Sequence, residues 1–143
     1  MKKLVGFFLL VLFSGCSSQL QENQHLVVVN EVNVWFNLMP GGEPTFHFSG
    51  QIGVDTEIDE AIELSDVEIF QSDKSIVKVK PFFTRLTKQL PQNNKYLYLF
   101  GLREGLSTKG VNPELPINVK LFFKFQNESI IKHISDIPIE KVY

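Results

Sequence analysis

Ile117-Asn118-Val119-Lys120-Leu121-Phe122-Phe123-Lys124-Phe125 alternates with period two. Ile117, Val119, Leu121, Phe123 and Phe125 fall on one side. Asn118, Lys120, Phe122 and Lys124 fall on the other. Successive side chains of an extended chain point to opposite faces of a sheet. The stretch therefore predicts a strand with one buried face, and puts Phe123 in the core and Lys124 in solvent.

The same period runs outward in both directions. Gln126-Asn127-Glu128 predicts a turn, and 129–139 a returning strand whose alternation slips near Ile130 and Ile131. Upstream, 103–116 is a long connection punctuated by Gly105, Gly110, Pro113 and Pro116. Further strands are predicted over 26–38, 45–54, 64–70, 76–83 and 95–102. Met39-Pro40-Gly41-Gly42-Glu43-Pro44 joins the first two as a hairpin, and Pro81 marks an edge or a strand end. About seven short strands with no convincing long helix predict an all-β protein, a sandwich or a barrel.

The order of links resembles the immunoglobulin and fibronectin-III arrangement, an antiparallel sandwich of two sheets. The Cys…Trp…Cys spacing of antibody domains is absent, since the chain has one cysteine. The resemblance implies that the third and sixth strands are antiparallel neighbours. That sets Glu68 and Phe70 beside Lys120, Phe122 and Lys124, charge and aromatic pairs that favour the pairing. It also implies that the first, second and fifth strands lie side by side. Trp35, His47, Tyr96 and Tyr98, taken as pointing away from the core, then share one outer face. Aromatic residues with a polar tip are enriched at interface hot spots, so these four form a candidate interaction face. The competing reading is that they pair across strands for stability alone.

The chain begins Met1-Lys2-Lys3, followed by an apolar run over 4–13. A basic start and a short apolar segment are the marks of a secretory leader, and the run is about half the length that spans a bilayer. It closes on Leu12-Phe13-Ser14-Gly15-Cys16, which resembles the lipobox of bacterial lipoproteins. That family places Leu, Val or Ala three residues before the cysteine, where this chain has Phe13. The resemblance implies cleavage before Cys16, acylation of its sulfur, palmitate among the chains, and a membrane anchor made of lipid. Ser17 after the cysteine resembles the outer-membrane class. The domain organisation read this way is a signal peptide over 1–15, a lipidated flexible tether over 16–25, and a sandwich over 26–143. The alternative is a secreted protein with a stray cysteine.

The chemistry is sparse. Net charge is −2, and removal of Lys2 and Lys3 makes the mature chain more acidic, which argues against nucleic acid as a partner. His25, His47 and His133 have no ligand spacing, and no nucleophile elbow or glycine-rich phosphate loop occurs. No enzyme activity, cofactor or metal is expected. Asp55, Glu57, Asp59, Glu63 and Asp66 do fall at positions 1, 3, 5, 9 and 12 of a calcium-type loop. Glu60, however, stands where that loop needs glycine. The loop reads as a solvated acidic connection, with Asp55, Glu57 and Asp59 as the weak metal candidates. The expected function is a lipid-anchored envelope protein acting as a non-catalytic interaction module, its partner another envelope protein. The alternative is a binder of calcium or a small ligand at 55–66.

Overall fold

The computed structural model describes residues 23–87 and 90–143. The leader expected over 1–15 and Cys16 lie outside the described residues. A 3-10 turn, Gln24–Leu26, leads into β1 (Val27–Asn37) and β2 (Thr45–Asp55). The chain continues through β3 (Ile62–Gln71), β4 (Lys74–Val79), β5 (Phe82–Arg85), β6 (Lys95–Gly101) and β7 (Leu106–Ser107). It ends with β8 (Ile117–Phe125), β9 (Glu128–Ile137) and β10 (Glu140–Val142).

Two sheets form. One has the order β10-β1-β2-β6-β5, with β7 added beside β2; the other has the order β4-β3-β8-β9. The protein is thus an all-β sandwich, and the strand neighbours are those predicted: β1, β2 and β6 side by side, and β3 antiparallel to β8. Glu68 stands opposite Lys120 and Phe70 opposite Asn118. Lys120 also lies over the Phe70 ring at 4.5 Å, and Lys78 over Phe122 at 4.9 Å. Phe36, Phe46, Phe48, Ile52 and Phe100 from the first sheet meet Val67, Ile69, Val119, Leu121 and Phe123 from the second in one buried cluster.

Prolines account for two of the strands beyond those predicted, β5 and β10. The stretch over 76–83 is two strands in two sheets: β4 ends at Val79, and β5 begins after Pro81 on the opposite sheet. Proline has no N–H to give to a ladder, so pairing stops there and the chain is free to cross. Pro138 divides β9 from β10 in the same way, and β10 runs parallel to β1 on the first sheet.

Two irregularities set side-chain direction. β1 carries a bulge between Val29 and Glu31, at Asn30. An extra residue shifts parity, so Val27 faces inward before the bulge while Val34 and Phe36 face inward after it. In β9 the slip is not at Ile130–Ile131, where alternation holds: Ile130 is buried and Ile131 exposed. It lies nearer the strand's end, where Asp136 takes a φ of 58° and the register with β8 shifts. The end of the expected tether also belongs to the fold. The Asn23 side chain bonds Glu128, and Lys132 donates to the Gln24 carbonyl.

Candidate functional site

The outer face of the first sheet carries the candidate site. Val34 and Phe36 are buried, so Trp35 between them points outward from β1. His47 is its direct cross-strand partner on β2, between buried Phe46 and Phe48. The two rings stack with centroids 5.3 Å apart and planes 8° from parallel. His47 Nε2 forms a hydrogen bond with Thr45 Oγ1 at 2.8 Å. The segment before β7 packs against the Nε2–Cε1 edge of the ring. A Cβ on Gly105 would lie 2.6 Å from His47 Nε2 and 2.5 Å from Thr45 Cβ, so only glycine fits there. Burial holds the imidazole below its ordinary pKa.

The register extends this face. Asn33 stands opposite Ser49, and Glu31 opposite Gln51, which in turn stands opposite Leu99 on β6. Asn33 Nδ2 donates to Glu31 Oε1 at 2.6 Å. The surface beside the Trp35–His47 pair is therefore polar, with Glu31 on β1 and Glu140, opposite Trp35 on β10, as its nearby charges.

Tyr96 and Tyr98 do not belong to it. Tyr98 stands opposite Ile52 and Phe100 opposite Gly50, so β6 turns its even-numbered residues inward. Leu97 and Leu99 take the outer face instead. The sequence hid this because every residue over 96–100 is aromatic or apolar, leaving no polar position to mark the wet side. Tyr98 tolerates burial because its hydroxyl is satisfied within the fold. It donates to Asp59 Oδ1 at 2.7 Å and also lies 3.0 Å from the Asp59 carbonyl oxygen. Its ring stacks on Phe83 at 4.4 Å. Burial and the Asp59 carboxylate push the Tyr98 hydroxyl well above the usual tyrosine range.

Asp59 is also the partner of Arg85, whose Nη1 lies 2.5 Å from Asp59 Oδ2. The guanidinium lies 3.5 Å over the centre of the Tyr96 ring. In the acidic connection between β2 and β3, the carboxylates of Asp55 and Asp59 turn to different partners. Asp55 accepts from the Glu57 amide at 3.0 Å and from Lys95 Nζ at 3.5 Å, while Asp59 turns into the sandwich. Their carboxylates serve different cations of the chain, and Glu57 supplies only its backbone. Among the described residues, no three histidine, cysteine or acidic side chains gather as a metal site. His133 lies on the second sheet opposite Lys120, remote from His47 in the topology. Sequence reasoning missed Arg85, Thr45 and Gly105. Gly105 showed in the sequence only as punctuation of the 103–116 connection, with nothing to link it to His47.

Among the described residues, no helix is long and apolar enough to cross a membrane. No family model, curated protein or solved structure matches the chain.

Proposed function

We propose that the protein is a lipid-anchored component of a bacterial cell envelope, held at Cys16, whose sandwich binds another envelope protein through the outer face of the first sheet. The outer membrane is the expected location, from Ser17 after the lipobox-like stretch. The observation that carries the reading is the outward Trp35–His47 stack beside the polar Asn33, Ser49 and Gln51. Tryptophan is the residue most enriched in interface hot spots. Asn33, Ser49 and Gln51 add hydrogen-bonding groups around it. The contact is non-catalytic in this reading.

Site-specific photocrosslinking in intact cells tests it. A crosslinker at Gln51 should trap one discrete partner, and one at His133 on the opposite sheet should not. Trp35→Ser should abolish the product with the melting temperature held within a few degrees. Equal yields from both positions would refute the assignment of the face. The anchor is tested separately: Cys16→Ala should release the protein from membranes and remove labelled palmitate. A variant that stays with the membranes, beside a wild type that takes up no label, would refute it.

A further inference from the structure

His47 is held on one ring face and at its Nε2 edge. Trp35 covers one ring face, Thr45 takes Nε2, the Gly105 segment closes over that same nitrogen, and β2 lies beneath. The neutral ring suits this packing, since Nε2 is bonded and one ring face lies on the indole. The protonated ring suits it less: it carries a full charge and a second N–H, and Trp35 and the Gly105 segment leave it less water than a free imidazolium has. The charged residues around it are Glu140, opposite Trp35 on β10, Glu31 further along β1, and Arg103 and Glu104, which lead into Gly105. None of them forms a salt bridge with His47.

We propose that the Trp35–His47 stack is a proton-operated latch on this face, closed while the imidazole is neutral and opened when His47 takes up a proton. On opening, the ring turns out to water, uncovers the indole and frees the 103–105 segment. An imidazolium left in place would gain attraction to the indole and could still donate from Nε2 to Thr45 Oγ1, but its charge would remain partly desolvated between Trp35 and the Gly105 segment. Burial already holds the pKa down, so the latch is closed at neutral pH and opens in acid. Its use as a gate on partner binding rests on the function proposed above; the latch itself does not.

Trp35 is the chain's only tryptophan, so emission excited selectively at tryptophan reports this stack. The full mature protein in detergent is titrated from pH 8 to pH 4.5, with the His47 ring signals followed by NMR. One emission transition is expected, with its midpoint below the ordinary histidine value of about 6.5 and coincident with the His47 titration. It should vanish in His47→Phe, which keeps a flat ring but cannot titrate; His47→Gln is the second variant should that one misfold. Constant emission while His47 titrates, or a transition that survives in both variants, overturns the latch. Crosslinking from Gln51 supplies the second arm. Wild-type yield should fall severalfold between pH 7.5 and pH 5.5, whereas in His47→Phe, whatever its absolute yield, the two pH values should give the same product. Equal wild-type yields overturn the gate, whereas no product at either pH overturns the contact face and leaves the fluorescence result to decide the latch.

Discussion

The Tyr98 hydroxyl donates to Asp59 Oδ1 at 2.7 Å, which ties the acidic connection after β2 to the inner face of β6. The bond is buried and one partner is a carboxylate, and hydrogen bonds to charged groups are worth more than neutral ones. Tyr98→Phe should cost about 1.5–3 kcal/mol in urea unfolding at pH 7. Alkali supplies a second reading. In the unfolded chain the tyrosine ionises near its ordinary value of 10.0, while in the fold burial and Asp59 keep it neutral beyond that. Because the folded-state pKa is raised, its contribution is full below pH 10 and is lost as the pH rises further. Wild-type stability should fall more steeply above pH 10 than that of Tyr98→Phe. Equal slopes would show that Tyr98 titrates alike in both states.

Phe123 and Lys124 adjoin on β8 yet face opposite ways; Phe123 is 1% exposed while Lys124 lies in solvent. Phe123→Ala should cost about 3–5 kcal/mol, and Lys124→Ala under about 0.5 kcal/mol. Equal shifts in thermal melting would contradict the register of β8 against β3.

Legibility follows contrast between neighbouring residues. β8 and β2 alternate apolar with polar, so their inward faces can be read residue by residue. The β3–β8 pairing is equally legible, through Glu68 and Lys120. β6 offers no contrast, and there the expected outer face is the inner one. Its direction is set by cross-strand partners, Ile52 for Tyr98 and Gly50 for Phe100, which no local pattern contains. Half of the candidate site, Trp35 and His47, is legible for the same reason that β1 and β2 are. Thr45 and Gly105 are not, because what places Gly105 over His47 is the path of 102–105 between β6 and β7. Asp59 turns inward against the usual expectation for an acidic residue because Arg85 and Tyr98 await it, and they lie 26 and 39 residues further along the chain.

Gly50 and Gly42 make a paired test of close packing. Gly50 lies on the inward row of β2, beside the bulged part of β1. A Cβ there would meet the Glu31 carbonyl oxygen at 2.3 Å and the Phe100 ring at 2.6 Å. Backbone cannot give way cheaply, so Gly50→Ala should destabilise by about 3 kcal/mol, the upper end for overpacking. At Gly42, in the β1–β2 connection, a Cβ would have nothing within 4 Å. Gly42→Ala should change stability by less than about 0.5 kcal/mol. Chemical denaturation of both variants decides it, and similar midpoints would contradict the approach of β1 to Gly50.

Gln71, at the end of β3, organises the proline-bounded stretch that leads into β8. It is 7% exposed. Its Nε2 donates to the carbonyls of Asn112 and Leu115 at 2.8 and 3.0 Å, and its Oε1 accepts from the Asn112 amide at 2.8 Å. That stretch has few other means of satisfying these groups, because Pro113 and Pro116 have no N–H to offer. Only a side-chain amide supplies donors and an acceptor together here. Gln71→Ala should cost about 1–3 kcal/mol for the polar groups left unpaired. Gln71→Glu is the sharper test. A carboxylate would face two carbonyl oxygens, so the variant should be well below wild type at pH 7 and closer to it at pH 4, where protonation restores one donor. The local reading is hydrogen exchange at the Asn112 amide, which should quicken in both variants while amides in the middle of β8 change only as far as global stability does. Unchanged exchange at Asn112 would mean that the prolines alone hold the stretch in place.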